Sequence, residues 1–249
     1  MLRRVRSILF AALVLSSTNV FAHEMVSFPS LAGDASAYLA DPGGKGKHPG
    51  LIVVQEWWGL NDWIKQQADR YAKEGYVAIA PDLYRGKTTT DPAVAHELMR
   101  GMPQDRAIAD LKAAFDYLAK RKDVDAKRIG VIGWCMGGGY ALDLTLAEPR
   151  IAATVVNYGH LMADPASIAK IHAPILGNFG ENDQGIPPAD VRAFDDALKK
   201  GGKSSDIKIY EGAGHAFMNP NNKGGYVKTA ADDAQSRINA FLRKTLRPA

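Results

Sequence analysis

The sequence predicts an α/β domain built on a mostly parallel central sheet with helices on both faces. Three observations carry this. Apolar, β-branched runs alternate with segments of helical period along most of the chain. The central runs, such as "GLIVV" and "RIGVIG", are apolar throughout rather than alternating, as strands covered on both faces must be. The 249 residues contain no repeat, low-complexity tract or long linker, and at 46% hydrophobic they suit one large domain.

In chain order, short strands are expected at Val26–Phe28 and Ser36–Leu39, and a buried strand at His48–Gln55. Asn61–Lys73 is a helix, with Asn61 as its N-cap and Gly75 as its stop. Tyr76–Ala80 is the next strand, closed by Pro81–Asp82. Asp91–Met99 and Asp105–Lys120 read as helices, Arg128–Trp134 as a strand and Gly138–Ala147 as a helix. Strands follow at Ile151–Tyr158, Pro174–Phe179 and Asp206–Tyr210, with a helix at Ala189–Lys199 and a final amphipathic helix at Asp232–Leu246.

Residues 1–22 stand apart as a secretory signal peptide, leaving 23–249 as the single domain. Arg3, Arg4 and Arg6 form a basic start, Ile8–Leu15 an apolar run too short to span a bilayer, and Ala22 a small residue suited to cleavage. Export to the periplasm or beyond is the expected localisation; retention as an anchor is the alternative. Without these residues, 28 Lys and Arg face 27 Asp and Glu, a net charge of +1 instead of +4. No Lys/Arg-rich run is left, which speaks against nucleic acid as a partner. No other stretch is apolar enough to span a membrane. No His/Asp cluster or cofactor motif stands out, so neither a metal nor a cofactor is expected, and "DPGGKGKHPG" lacks the spacing of a phosphate loop. A monomer is the default state.

Sites in such sheets lie at the carboxyl ends of strands. Cys135, the only cysteine, follows one of them in "GWCMG", which matches the G-x-S-x-G nucleophile elbow with Cys for Ser. Glycines two residues either side relieve a sharp strand-to-helix turn, and a helix N-terminus aimed at a thiol favours thiolate. The plainer alternative is a small buried hydrophobe. A thiol nucleophile needs a base. His215 in "EGAGHAF" is the best placed of the six histidines; His160, which also follows a strand, is its rival. Asp183 in "FGENDQG" lies between them in sequence, as the orienting acid must, with Glu181 as competitor. Glu56 ends the strand "GLIVVQE" beside Trp57 and Trp58, an unusual setting for a surface carboxylate.

Five segments, "VVQEWWGLN", "APDLYRG", "GWCMGGGYAL", "FGENDQGIP" and "EGAGHAFMNP", in this order, resemble the dienelactone hydrolase family (carboxymethylenebutenolidases) of the α/β-hydrolase fold, from about Leu51 to Leu242. The resemblance implies a small ester or lactone substrate, a Cys135–Asp183–His215 triad and an acyl-cysteine intermediate. It implies that Glu56 helps to produce the thiolate, and that the N–H groups of Met136 and Trp57 form the oxyanion hole. It also implies that Arg85 binds a substrate carboxylate. A second arginine is expected four residues after the histidine, where this chain has Asn219. Trp58, Trp134 and Phe217 are expected to line the substrate pocket. The alternatives are a broader carboxylesterase or thioesterase on the same scaffold, and a non-catalytic exported binding protein.

Overall fold

A computed structural model describes residues 22–31 and 33–247. The signal-peptide expectation falls almost wholly on residues 1–21, outside the described residues.

Fifteen elements are described. Strands β1 (Ala22–Phe28) and β2 (Ala35–Asp41) form an antiparallel hairpin at one edge. They lead into β3 (His48–Val54), α1 (Asp62–Lys73) and β4 (Val77–Pro81). Helices α2 (Pro92–Arg100) and α3 (Gln104–Lys120) precede β5 (Val124–Trp134) and α4 (Met136–Ala147). The chain closes with β6 (Ala153–Asn157), α5 (Pro165–Lys170), β7 (Ile175–Gly180), α6 (Pro188–Lys200), β8 (Ser205–Tyr210) and α7 (Lys228–Leu246). The strands form one sheet in the order β1-β2-β4-β3-β5-β6-β7-β8, parallel from β4 to β8.

The pleat of β3 explains why its run is apolar throughout. Leu51 and Val53 pack with Trp63 and Tyr71 of α1 and Leu242 of α7. Ile52 and Val54 pack on the other face with Leu111 and Phe115 of α3. Successive side chains point to opposite faces, and both faces are dry. A further cluster, with Phe194 and Leu198 of α6, covers β7.

Caps act where the sequence places them. Asn61 accepts from the Ile64 N–H at 3.1 Å, and Asp91 caps α2. Helix α5 and the starts of β1, β5 and α7 differ from expectation, β1 and α7 each beginning four residues early, at Ala22 and Lys228. Helix α5 is too short for its period to register, though Asp164 caps it and Pro165 opens it. Strand β5 begins four residues early, across "VDAK", because Val124 and Asp125 pair with His48 and Pro49 ahead of a register shift in β3. Charged residues at a strand's start carry no apolar signal.

The polar residues of interest therefore gather at one end of the sheet, where β3, β5, β7 and β8 stop.

Candidate active site

Cys135 joins β5 to α4 with φ 54° and ψ −121°, a backbone conformation that a side chain adopts only under strain. The flanking glycines make it possible. A Cβ on Gly133 would collide with the Gly137 carbonyl, and one on Gly137 with the carbonyls of Val54 and Gln55. The Cys135 N–H donates to the Asn157 carbonyl at 3.0 Å, and its own carbonyl accepts from Gly138 at 2.9 Å. The turn is thus fastened to β6 behind and to α4 ahead, and Cys135 keeps some exposure.

Asp183 lies in the loop after β7. One carboxylate oxygen accepts from the N–H groups of Gly185 (2.9 Å) and Ile186 (3.0 Å); the other lies 2.7 Å from His215 Nδ1. Burial pushes the Asp183 carboxyl up, but His215 and the two backbone donors outweigh it and hold the group below its ordinary value. Burial likewise opposes charge on His215. The Asp183 hydrogen bond and the Cys135 sulfur beside the ring prevail and push it up to about 10. Nδ1–H therefore donates to Asp183, and Nε2 is left for the cleft. The competitors are elsewhere. Glu181 accepts from the Gly212 N–H in an exposed turn, and His160 borders a separate cavity with Leu161 and Ile186.

Glu56 is buried at the end of β3. Asn219 Nδ2 donates to its Oε2 at 2.7 Å, and the Tyr158 hydroxyl stands 3.5 Å from Oε1. Burial raises Glu56 to about 7, although Asn219, His215 and Tyr158 all favour its charged form. Its direct partner is Asn219 rather than the thiol. Tyr158 itself was not legible from the sequence. It sits at φ 39° just past β6 and sets its ring edge-on to His215, centroids 5.3 Å apart.

Glu56, Trp57, Trp58, Cys135 and His215 line one cleft of about 790 Å3, together with Thr89, Met99 and Asn219. Its volume lies in the range of small-molecule sites. Trp57 and Trp58 form its aromatic wall, ring centroids 4.8 Å apart. The backbone N–H groups of Trp57 and Met136 take no part in the turn and loop hydrogen bonds of the described residues. Among the described residues, no cluster of three or more His, Cys, Asp or Glu is arranged to hold a metal ion, and no helix is long and apolar enough to cross a membrane.

Three expected substrate contacts are corrected. Arg85 grips both oxygens of the buried Asp110, at 2.7 and 2.8 Å, and does not line the cleft. A fully desolvated carboxylate needs that partner more than a solvated substrate would. Trp134 is fully buried and packs edge-on against Trp63; as the last residue of β5 it shares the α1 side with Ile132, and the elbow turns the chain toward the cleft only after it. Phe217 is core between Tyr158 and Tyr210.

Beneath the elbow runs a polar relay that the sequence reading missed. Arg237 Nη1 of α7 donates to Asn178 Oδ1 (2.5 Å), Asn178 Nδ2 to Asn157 Oδ1 (2.8 Å), and Asn157 Nδ2 to the Gly133 carbonyl (3.0 Å). Asn157 thereby holds the residues two before and at the cysteine. The available clue was an asparagine near the end of each of two apolar strands, "ATVVN" and "ILGNFG"; the two are paired in register.

The model of the dienelactone hydrolase family matches residues 35–246. A Methylorubrum extorquens protein named "Putative carboxymethylenebutenolidase" is 32% identical over 233 residues, covering 88% of this chain and 80% of its own. Protein usf of Aquifex pyrophilus is 34% identical, with coverage of 90% and 99%. Among solved structures, a protein named "Putative Dienelactone Hydrolase" from Klebsiella pneumoniae superposes with a TM-score of 0.82 at 30% identity, covering 91% of this chain and 100% of that one.

Proposed function

The chain belongs to the dienelactone hydrolase family and is a hydrolase acting on ester bonds, and from that premise we propose that it cleaves small neutral esters or lactones through an acyl-cysteine intermediate. The observation that carries this is the strained Cys135 elbow sharing a cleft with a His215–Asp183 couple closed at 2.7 Å.

Cys135 Sγ, as thiolate, attacks the carbonyl carbon. The oxyanion takes hydrogen bonds from the N–H groups of Met136 and Trp57, each such donor being worth ~10²–10³ in rate. The tetrahedral species collapses; the C–O bond breaks, and the leaving oxygen takes the Nε2 proton of the His215 imidazolium. Neutral His215 then accepts a proton from water as its oxygen attacks the thioester. The acid leaves, and thiolate and imidazolium are restored. Asp183 keeps the ring oriented and favours its charged form. Glu56 is the acceptor for a proton on Cys135 when a substrate loosens its bond to Asn219.

Charge selects the substrate. Apart from the His215 imidazolium, already matched by Asp183 and the Cys135 thiolate, the described residues of the cleft include one cationic side chain, Lys223, while Glu56 and the neutral Asn219 occupy its inner end and Arg85 is held by Asp110. A neutral ester fits this balance better than a dicarboxylic lactone, which favours the broader carboxylesterase reading. Purified protein should hydrolyse p-nitrophenyl acetate with a higher kcat/KM than a dienelactone carboxylate, and Cys135→Ala should abolish both activities. Stoichiometric iodoacetamide labelling of Cys135 that leaves hydrolysis intact would refute the mechanism. Export belongs to the same reading and rests on the signal-like residues 1–22; a monomer is the default for this scaffold, and fractionation of the native host and light scattering of the purified chain test the two.

A further inference from the structure

Asp183 and Tyr158 hold the His215 ring, but a ring is only as well placed as the backbone that carries it. Upstream, the Ala213 carbonyl accepts from the Asn182 N–H at 2.8 Å, which ties the loop after β8 to the loop of Asp183. Downstream, Phe217 is fully buried and its carbonyl accepts from the Val227 N–H at 3.1 Å. Between these anchors Ala216 stands at φ 56°, a left-handed conformation that a side chain keeps only where its surroundings impose it.

Asn222 supplies much of that constraint. Its Nδ2 donates to the His215 carbonyl at 3.1 Å and to the Ala216 carbonyl at 3.4 Å. One carboxamide NH2 has the two hydrogens this requires. The Ala216 carbonyl also accepts from the Asn219 N–H at 3.1 Å. Asn222 is itself fastened on both sides. Its N–H donates to the Asn219 carbonyl at 3.0 Å, and its carbonyl accepts from the N–H groups of Gly225 (3.0 Å) and Tyr226 (2.8 Å). Gly225 leaves the clamp its room: a Cβ there would collide with Asn222 Nδ2. The backbone of Gly225 is not in the left-handed region, so space is what the missing side chain provides. With Nδ1 pinned by Asp183, any shift of the His215 backbone turns the ring about that bond and carries Nε2 across the cleft.

We infer that Asn222 is a positioning residue for the base, its carboxamide fixing the His215–Ala216 backbone and with it the place of Nε2 beside Cys135. The inference rests on the acyl-cysteine reading, in which His215 carries the proton. Asn222 also lines the cleft, so a second variant has to break the clamp from outside. Gly225→Ala does this, because Gly225 is not among the residues lining the cleft and its new Cβ displaces the carboxamide. Asn222→Ala and Gly225→Ala should each lower kcat for p-nitrophenyl acetate, normalised to Cys135 titrated by iodoacetamide, by about tenfold. The double variant should fall no further than Asn222→Ala alone, since the new Cβ then has no carboxamide to displace. The pH dependence of iodoacetamide alkylation should move upward in both single variants, because a displaced imidazolium supports the thiolate less. A merely structural role would lower the melting temperature and the amount of titratable thiol, and leave both readouts alone. Parent values of kcat per thiol and of alkylation in both single variants overturn the inference while the Cys135 mechanism stands. So do additive losses in the double variant, which would mean two unrelated defects. Hydrolysis that survives Cys135→Ala overturns the catalytic reading, and the inference with it.

Discussion

Two buried aspartates each hold a cation in a loop at the same end of this sheet, and only one of them belongs in the cleft. Asp183 has a fully buried side chain and meets a His215 that remains 40% exposed. Asp110 is as deeply buried and meets Arg85, 26% exposed. In sequence the two cations look alike: each follows a strand and sits beside a glycine, and each lies at or next to a residue of positive φ, Arg85 itself and Ala216. The difference is in what the partner leaves free. Asp183 binds one ring nitrogen and divides its other oxygen between two backbone donors, so the far side of the imidazole faces the cleft. Asp110 takes the guanidinium with both oxygens. One pair leaves a ring nitrogen open to the cleft; the other joins the loop after β4 to α3.

The sharpest break of this comparison is to neutralise each acid in turn. Asp183→Asn should lower kcat/KM for p-nitrophenyl acetate by ~10³–10⁴-fold, because the imidazolium loses its partner and the tautomer its guide. Denaturant melts should move far less. Asp110→Asn should do the reverse, losing about 3 kcal/mol of stability by leaving Arg85 half-paired in a buried setting while kcat stays within a few-fold. If Asp110→Asn removes activity at unchanged stability, Arg85 works in the cleft after all.

Glu56 extends the comparison to a carboxyl whose direct hydrogen-bond partners, Asn219 and Tyr158, are both neutral. Its pKa is raised from 4.5 to about 7, so whatever stability it contributes is complete below pH 4.5 and is lost as pH rises through about 7. His215, raised from 6.5 to about 10, follows the same sign in a later window, from about pH 6.5 to 10. Asp183, lowered, acts in the opposite sense; its contribution is present above its ordinary value of 3.8 and lost as pH falls below that. Glu56→Gln keeps an acceptor for Asn219 and removes the charge. It should therefore be more stable than the parent by about 3 kcal/mol at pH 8 and indistinguishable near pH 4, with slower inactivation by iodoacetamide at neutral pH. A parent protein whose melting temperature does not fall between pH 4.5 and 7 would mean that Glu56 ionises as an ordinary carboxyl.

Much of this was legible in the sequence, for local reasons. Apolar runs of strand length alternating with capped helices specify the sheet. The glycines around Cys135 specify a turn because no other residue fits where two backbones touch. Cys135, Asp183, His215 and Glu56 stand out because each is a polar residue just beyond a strand. The errors concern direction and partnership, which spacing does not record. Trp134 adjoins Cys135 in sequence, yet it ends β5 on the α1 side with Ile132, and the elbow turns toward the cleft only after it. Arg85 lies in a segment of the right kind, but its partner Asp110 arrives from α3, 25 residues later. Tyr158 reads as the end of a strand, and its partner His215 arrives from the loop after β8, 57 residues later.

The relay beneath the elbow gives the smallest and most discriminating effect. Asn157→Leu keeps the volume of a strand residue and removes the donor to Gly133 and the acceptor for Asn178. Its backbone carbonyl still accepts from Cys135, so the elbow should form with its register loosened. Displacements well short of 1 Å should lower kcat by about tenfold, since near-attack geometry is lost steeply with distance. KM should hardly change, because no side chain lining the cleft is altered. A purely structural role would lower the melting temperature and the amount of active enzyme without changing kcat per labelled thiol. The measurement is therefore kcat normalised to Cys135 titrated by iodoacetamide. If the normalised value equals that of the parent, the relay only stabilises β6 against β7. If it falls about tenfold, a hydrogen-bonded line starting at Arg237 on α7 sets the position of the sulfur, and the elbow is held as much from below as by its own glycines.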